Sequence, residues 1–482
     1  MYCPIPDSIT FYVCDPHHYF IITGDFIVNE QKRGVFSGKI GFVLSAAGAS
    51  VGLGNIWRFP YLSARYGGGI FLLVYIVLAL TFGYTMIIAE TSIGRTTQKS
   101  PVGAFSALGQ TRGMRAGGWI NAVIPMLIVP YYSVIGGWVC KYLAAYIHAD
   151  LQVISGDTFF TDFISDGASS EFWFLVFAVL VLAVIAMGVE NGIERVSRFM
   201  MPVLIVLAVV ITIYSVTRPG ALSGVRYFLI PDLHHFSWMT VVSAMGQMFY
   251  SLSIAMGILI TFGSYMKKDV SIDSSTRQVE VFDTGIAILA SLMIIPAVFA
   301  FSGGDPQALN AGPSLMFITM PKIFSSMGLG RLIGILFFVL VLFAALTSAI
   351  ALSESAVSTF SDEFGWSRKK GTVLMAVIMI ALGSLSSLGY GPLAGITIIG
   401  MPFLDFFDFL TNSVMMPIAA LAICLLVTRH MGVDRIEEEV TLGGHPFRRR
   451  SIFRFMIRFL CPIFIIVILL SSIANVLGWI KM

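Results

Sequence analysis

Gly48-Ala49-Ser50-Val51-Gly52-Leu53-Gly54-Asn55 lies in the middle of an apolar segment that is long enough to cross a membrane. The stretch places three glycines within seven residues, and each glycine destabilises a helix by about 1 kcal/mol relative to alanine. Because lipid cannot satisfy freed backbone groups, such a break is tolerated beside a cavity or where small residues let helices pack closely. The amide of Asn55 and the guanidinium of Arg58 favour a cavity, since these polar groups need more than close packing.

The composition around this stretch is too apolar for a soluble protein. Of 482 residues, 57% are hydrophobic and 12% are charged, and the mean hydropathy is +0.86. A soluble globular chain carries about 25% charged residues, so a soluble enzyme, a disordered protein and a nucleic-acid binder are excluded. The net charge of +3 does not suggest a polyanionic partner, and the five widely spaced cysteines indicate neither a disulfide framework nor a zinc site.

Apolar runs of about 20 residues, the length that crosses a bilayer, predict an all-α membrane protein with about 11 transmembrane helices. Residues 1–32 contain prolines and acids, and we expect them to be a disordered extension or the product of a start site assigned too far upstream. The runs lie near residues 41–64, 69–90, 118–147, 171–189, 199–217, 240–265, 283–303, 332–359, 372–388, 397–428 and 452–479.

The distribution of Lys and Arg predicts the orientation of the chain in the inner cell membrane. The loops that follow the second, eighth and tenth runs are basic, whereas the loop that follows the third is acidic. All the basic loops therefore follow even-numbered runs. We expect the N-terminus to be cytoplasmic and the C-terminus to be external.

A second polar interruption, Gln247–Gly257, lies in the sixth run, five runs after the first interruption. Interrupted helices at corresponding positions of two halves are the sequence signature of a transporter site at a repeat interface. The similarity between the halves is one of position, without clear sequence identity. The predicted repeats are residues 41–217 and 240–428, and the eleventh run is an addition.

The residues that carry these interruptions resemble the neurotransmitter:sodium symporter family. The resemblance covers residues 33–480. With eleven predicted spans, the chain resembles the bacterial branch of the family. This resemblance implies a LeuT-type 5+5 inverted repeat with discontinuous helices 1 and 6, and a monomer or weak dimer. Further, it implies symport of sodium and a hydrophobic or aromatic amino acid by alternating access. The motifs lie at residues 48–61, 131–132, 247–257, 344–348 and 403–409.

The resemblance implies two sodium sites built from oxygen ligands, which hard cations prefer. An aspartate at position 283, where animal members carry asparagine and bind chloride nearby, implies transport that is independent of chloride. The other reading of Asp283 is a solvated charge at a helix end. The first site is assigned to Ser50, Asn55, Ser251 and Asp283, and the second to Gly48, Val51, Ala344, Thr347 and Ser348.

The resemblance also implies a substrate pocket without charged side chains, which favours an apolar substrate side chain. Gly52 stands where amine transporters carry an aspartate, so a substrate with its own carboxylate is expected. Tyr132 is expected to donate a hydrogen bond to that carboxylate. The pocket is assigned to Ala49, Ser50, Leu53, Gly54, Ile128, Tyr132, Tyr250, Ser251, Ser253, Met256, Ser348 and Leu352.

Gates on both sides of the pocket follow from the same resemblance. Arg58 and Asp408 match an outer pair, with Tyr250 as a lid and Gln247 beside it; Asp405 is an alternative carboxylate. Arg33 and Asp362 match an inner pair. In addition, Pro202 is expected to break the fifth span, because proline removes a backbone donor. With Gly192 it matches an element whose local unwinding opens a water path to the second sodium site.

Four other functions compete with sodium-coupled symport. A proton-coupled carrier is the nearest competitor, since Asp283 is able to take a proton in place of sodium. A receptor that binds the substrate without transporting it shares the fold. A channel needs a continuous polar lining, and an enzyme needs a nucleophile and base or a metal; neither pattern is present in the sequence.

Overall fold

The computed structural model describes residues 34–305, 309 and 313–476. Within this part, nine helices are long and apolar enough to cross a membrane, and Lys39–Ser50 with Gly54–Arg65 forms a tenth crossing that is bent by 55°. Trp238–Ser251 and Ile258–Ser264 form one further, interrupted segment. The described residues contain no β-strand. These helices confirm the predicted all-α membrane architecture.

We number these helices from 1 to 11 and label the two parts of each interrupted helix a and b. Shorter helices, including Pro101–Gly109, Leu315–Ser325 and Val433–Thr441, lie in the connections. The bounds are Lys39–Ser50 (1a), Gly54–Arg65 (1b), Gly69–Thr97 (2), Arg112–His148 (3), Gly167–Ala186 (4), Val189–Val216 (5), Trp238–Ser251 (6a), Ile258–Ser264 (6b), Ile272–Ser302 (7), Gly330–Phe364 (8), Arg368–Leu388 (9), Phe403–Met431 (10) and Arg450–Asn475 (11).

Polar side chains fix where several of these helices begin. Thr111, Asp166 and Ser271 each accept a hydrogen bond from a backbone N–H in the first turn of helices 3, 4 and 7. Helix 6a begins with a capping box between Ser237 and Thr240. Such caps satisfy amides that have no partner within the helix, so the apolar runs begin at defined residues.

The helices divide into an inner group and a peripheral group. The most apolar window of helix 3 is 89% buried, whereas the corresponding window of helix 11 is 28% buried. Helix 3 packs against helices 4, 8 and 9, and helix 1a packs against helices 5, 7 and 8. The two interrupted helices therefore lie among inner helices, where neighbouring side chains reach their freed backbone groups.

The structure differs from the sequence prediction in helix 5. Pro202 lies inside the continuous helix Arg195–Val216, so the prediction that it breaks this span is wrong. A proline removes one amide donor, and the flanking hydrogen bonds and the packing of the bundle keep this helix intact. The irregular part is instead the π-helical turn Val189–Glu194, which contains Gly192.

Three expectations concern residues that the structure does not describe. The extension over residues 1–32 and the inner-gate residue Arg33 precede the described part of the chain. The end of the predicted eleventh run, beyond residue 476, follows it. The proposed domain boundaries therefore stay predictions.

Candidate functional site

Helix 1 stops at Ser50 because its backbone turns to an extended conformation at Val51, with φ −74° and ψ 98°. Two amides freed by this break find side-chain acceptors. The N–H of Gly52 donates to Oδ1 of Asn55 at 3.1 Å, and the N–H of Leu53 donates to the hydroxyl of Tyr132 at 3.2 Å. The break is thus a built feature, held by its own asparagine and by helix 3.

Helix 6 is interrupted over residues 252–257, where three residues adopt the left-handed backbone conformation. Two of them, Ser253 at φ 54° and Ala255 at φ 58°, are not glycine, and such conformations cost about 1–3 kcal/mol each. The buried carboxylate of Glu90 on helix 2 accepts a hydrogen bond of 2.8 Å from the N–H of Ala255. Helix 2 therefore helps to hold the strained segment in place.

The two interruptions face each other across a buried cavity of about 30 Å³. A water needs at least about 10–15 Å³ measured in this way, so the cavity has room for about two or three waters. All twelve residues that the sequence analysis assigned to a substrate pocket line it, and Gly52 and Asn55 complete the lining. The fourteen lining residues are Ala49, Ser50, Gly52, Leu53, Gly54, Asn55, Ile128, Tyr132, Tyr250, Ser251, Ser253, Met256, Ser348 and Leu352.

Polar and apolar groups occupy different parts of this lining. Backbone and hydroxyl groups of Leu53, Tyr132 and Ser348 lie on the side of the helix 1 break. The side chains of Ile128, Met256 and Leu352 supply an apolar wall. None of the fourteen lining residues carries a charge. The cavity therefore offers hydrogen-bond partners to one end of a small molecule and apolar contacts to the other.

Asp283 lies beside the cavity, fully buried, and accepts three hydrogen bonds from neutral groups. Oδ1 accepts from the Asn55 amide and from the Ser251 hydroxyl, both at 2.8 Å, and Oδ2 accepts from the Tyr75 hydroxyl at 3.0 Å. Ser50 contributes a buried hydroxyl that has no hydrogen-bond partner among the described residues. The four residues assigned to the first sodium site thus come from helices 1, 6 and 7.

One detail of this cluster differs from the sequence assignment. The assignment uses the side-chain oxygen of Asn55 as a ligand, whereas that oxygen accepts from the N–H of Gly52, and the amide nitrogen faces Asp283. Tyr75 on helix 2 is a partner that sequence analysis missed. It belongs to an apolar run, and the sequence carries no signal that its hydroxyl meets a carboxylate from helix 7.

The residues assigned to the second sodium site gather where helix 8 crosses the end of helix 1a. The Ser348 hydroxyl lies 3.3 Å from the carbonyl oxygen of Gly48, 3.1 Å from that of Ala49 and 3.4 Å from that of Val51. The Thr347 hydroxyl lies 2.9 Å from the carbonyl oxygen of Phe343 and 3.2 Å from that of Ala344. This concentration of oxygens, with one hydroxyl proton among three carbonyls, is electronegative and suits a hard cation.

The predicted outer pair is not in direct contact. The guanidinium of Arg58 lies over the ring of Tyr250, 5.3 Å from its centroid. Asp408 accepts hydrogen bonds from the Tyr131 hydroxyl at 3.2 Å and from the Asn412 amide. Gln247 donates to the carbonyl of Gly54 at 3.0 Å. The charged residues therefore lie above the cavity with Tyr250 beneath Arg58, each held by a different partner.

At the opposite end, Asp362 accepts a hydrogen bond of 2.6 Å from the N–H of Ser100. Two acidic residues that sequence analysis did not assign also act here. Glu194 on helix 5 accepts from the N–H of Ser37 at 2.8 Å, just before helix 1a. Glu354 on helix 8, fully buried, accepts from the Tyr265 hydroxyl at 2.7 Å and pairs with Arg368. An acidic residue inside an apolar run is the signal that marks Glu354.

Comparison with known proteins decides the family. The sequence model of the sodium:neurotransmitter symporter family matches residues 33–157 and 160–479. The chain belongs to this family. The transporter is 33% identical to an uncharacterised sodium-dependent transporter of Bacillus subtilis over 92% of this chain and 99% of that protein. It is 31% identical to another from Methanocaldococcus jannaschii over 86% and 85%.

A solved structure supports the same conclusion for the fold. The transporter superposes on MhsT, crystallised in complex with L-phenylalanine, with a TM-score of 0.82 and 37% identity. The match covers 91% of this chain and all of that one. The protein is therefore a sodium-dependent transporter with the LeuT-type fold, a multi-pass membrane protein and not an enzyme.

Proposed function

We propose that the transporter imports a hydrophobic or aromatic amino acid together with sodium, by alternating access and without chloride. The observation that carries the proposal is the buried cavity between the two interrupted helices, which has hydrogen-bonding groups on one side and an uncharged apolar wall on the other. The complex of the similar protein MhsT with L-phenylalanine supports this choice of substrate class.

In this proposal the substrate carboxylate meets the backbone at Leu53 and Gly54 and the hydroxyl of Tyr132. The start of helix 1b favours an anion there, because a helix N-terminus carries partial positive charge. The close surroundings of Gly52 support a substrate that brings its own carboxylate, because no acidic side chain fits at this position. A Cβ on Gly52 would lie 2.7 Å from the Ser348 hydroxyl and 3.0 Å from that of Tyr132, which leaves no room for an aspartate.

The substrate side chain then lies against Ile128, Met256 and Leu352. A charged side chain in this position would be buried without a partner, at a cost of several kcal/mol. Methionine is flexible and polarisable, so Met256 adapts to aliphatic and aromatic groups alike. We therefore expect phenylalanine, tryptophan, tyrosine or leucine to be carried, and lysine and glutamate to be rejected.

The proposal includes two sodium ions as co-transported substrates. The first binds at Ser50, Asn55, Ser251 and Asp283 with the substrate carboxylate, and the second binds at the oxygens near Ser348. Each ion that enters releases about 2.3 kcal/mol from a membrane potential of ~100 mV and about 1.4 kcal/mol from a tenfold concentration gradient. Two ions support accumulation of a zwitterion by roughly 10⁵-fold, and one ion supports about 500-fold.

Asp283 supports independence from chloride. A buried carboxylate with only neutral hydrogen-bond donors supplies a fixed negative charge next to the first sodium position. A mobile anion is then not needed to balance the cation. The same geometry favours a second candidate, proton coupling, since a proton on Asp283 also balances its charge.

Access alternates in this proposal between an outer gate at Arg58, Gln247 and Asp408 and an inner gate at Arg33 and Asp362. The basic loops after helices 2, 8 and 10 support a cytoplasmic N-terminus and an external C-terminus in the inner cell membrane. The protein acts as a monomer or weak dimer, because each protomer contains a whole pocket.

Uptake into proteoliposomes tests the substrate class and the coupling ion. Labelled phenylalanine is offered with an inward sodium gradient, and unlabelled tryptophan, leucine, lysine, glutamate and phenethylamine compete. We expect competition from tryptophan and leucine only. Replacing sodium by choline at fixed pH is expected to abolish uptake; uptake that persists in choline and stops with a protonophore would favour the proton-coupled carrier.

A further inference from the structure

A second cavity, of about 510 Å³, lies at the end of the bundle where helix 1a begins. Three separate parts of the chain enclose it. They are the start of helix 1a at Ser37–Lys39, the connection from helix 6b into helix 7 at residues 267–277, and the segment His445–Arg448 before helix 11. None of its residues is among those assigned above to substrate, sodium or gates.

Positive charge predominates in this second cavity. Its lining contains four side chains that are cationic at neutral pH, Lys39, Lys267, Arg277 and Arg448, and two carboxylates. One of these carboxylates, Asp273, is buried and is already neutralised by Arg277, whose Nε lies 3.0 Å from it. Three cations thus face the one remaining carboxylate, Asp269, which is exposed to solvent.

The cations keep hydrogen-bond donors available. Lys39 donates to the hydroxyl of Ser274 at 2.8 Å, and Lys267 donates to the carbonyl oxygen of Ser37 at 2.9 Å. An ammonium group has three donors, so each retains two. Arg448 is exposed and forms no hydrogen bond or ion pair with the residues that the structure describes.

We propose that this second cavity binds a phosphate group, either as inorganic phosphate or in the headgroup of an acidic phospholipid. Guanidinium and ammonium groups are the side chains that bind phosphate oxygens, and the hydroxyls of Ser271 and Ser274 add neutral donors. The cavity has room for such a group, and the excess of positive charge favours an anion.

A phosphate group here would join elements that belong to different parts of the bundle. Lys39 lies on helix 1a, Lys267 lies after helix 6b, and Arg448 lies just before helix 11. A ligand that contacts all three favours the state in which they are together. Since the proposed function places this end of helix 1a at the cytoplasm, the ligand would stabilise the closed inner side.

Thermal unfolding of the purified full-length protein in an uncharged detergent tests the site without requiring transport. The protein is titrated with inorganic phosphate or, separately, with short-chain phosphatidylglycerol, at constant ionic strength. The test variant is Lys39→Gln/Arg448→Gln. The matched control is Lys369→Gln/Lys370→Gln, which removes the same charge from two exposed residues at the start of helix 9.

We expect a saturable rise of the unfolding temperature in the parent protein and in the control. In the test variant the half-saturating concentration is expected to rise by at least about tenfold, because two charged contacts are lost. A rise with both ligands assigns the site to the phosphate group itself, and a rise with one ligand alone identifies the source. The charge-preserving variant Lys39→Arg/Arg448→Lys is expected to retain binding.

The proposal would be overturned if neither ligand gave a saturable rise of the unfolding temperature. It would also be overturned if the test variant bound the ligand as tightly as the parent protein. If the test variant fails to fold, Arg448→Gln alone decides the question, because Arg448 is exposed and forms no hydrogen bond or ion pair with the described residues. If the parent protein bound phosphate but showed no sodium-driven uptake, the proposed function would be rejected and the phosphate site would stand.

Discussion

The hydroxyl of Ser251 donates a hydrogen bond of 2.8 Å to the carboxylate of Asp283, where helix 6a ends against helix 7. Oδ1 of Asp283, the oxygen that accepts from Ser251, also accepts a hydrogen bond of 2.8 Å from the side-chain amide of Asn55 on helix 1b. A single buried carboxylate thus joins both interrupted helices. Its hydrogen-bond donors are all neutral, so they stabilise the carboxylate without cancelling its net charge. A cation that enters the cluster is therefore attracted by an unpaired negative charge.

Replacement of Asp283 by asparagine tests the role of this charge. The amide keeps the size of the side chain and removes the negative charge, so the first sodium position loses its fixed counter-ion. We expect sodium-driven phenylalanine uptake in chloride-free buffer to fall by at least about tenfold. Chloride is expected to restore part of the uptake, since a mobile anion then supplies the missing charge.

Asp157→Asn is the control for this experiment, because it removes a carboxylate that is 85% exposed and lies in a loop. Its uptake is expected to match that of the parent. Full uptake by Asp283→Asn without chloride would contradict the assignment of Asp283 as the fixed charge of the first sodium site.

Ser348→Ala removes the hydroxyl that lies within 3.4 Å of three carbonyl oxygens at the end of helix 1a. We expect the sodium concentration for half-maximal uptake to rise about tenfold, the effect of losing one ligand of about 1.4 kcal/mol. The matched control is Ser353→Ala on the same helix, whose hydroxyl donates to the carbonyl of Ala349 at 2.8 Å. Equal sodium dependence in the two variants would argue against the second site.

Gly52→Ala is expected to abolish uptake of phenylalanine while the protein still folds. The added methyl group would lie 2.7 Å from the Ser348 hydroxyl and 3.0 Å from that of Tyr132, at the place proposed for the substrate carboxylate. Uptake and thermal unfolding are compared with those of Gly246→Ala on helix 6a, where a Cβ meets no atom within 4 Å. Normal uptake by Gly52→Ala would exclude the proposed position of the carboxylate.

Glu194→Ala tests the contact that holds the start of helix 1a. Glu194 accepts hydrogen bonds from both the N–H and the hydroxyl of Ser37 and pairs with Arg198 at 2.7 Å. Its loss leaves the N–H and the hydroxyl of Ser37 without this acceptor, and we expect a destabilisation of about 1–3 kcal/mol. Unfolding is measured beside Glu190→Ala, which removes an exposed carboxylate four residues earlier. Equal stability of the two variants would show that the contact contributes little.

The two interruptions were predictable because their signals are local. Three glycines between residues 48 and 54, and the polar groups of Gln247–Gly257, stand out from apolar surroundings without reference to any other part of the chain. The family resemblance then supplied the register, and the twelve pocket residues assigned from it line one cavity.

The contacts that support these interruptions were not predictable, because they depend on which helices become neighbours. Glu90 lies near the end of an apolar run and carries no local sign of a partner, yet its carboxylate accepts a hydrogen bond from the N–H of Ala255 in the interruption of helix 6. The intact helix at Pro202 has the same origin, since packing and flanking hydrogen bonds outweigh one lost donor. The separation of Arg58 from Asp408 depends on their alternative partners, Tyr250 and Tyr131.

The most direct test of the account is phenylalanine uptake into proteoliposomes with an inward sodium gradient and with all chloride replaced by gluconate. The account predicts accumulation above the external concentration that stops when sodium is replaced by choline. Uptake that is indifferent to sodium would contradict both sodium sites. Uptake that requires chloride would contradict the role of Asp283.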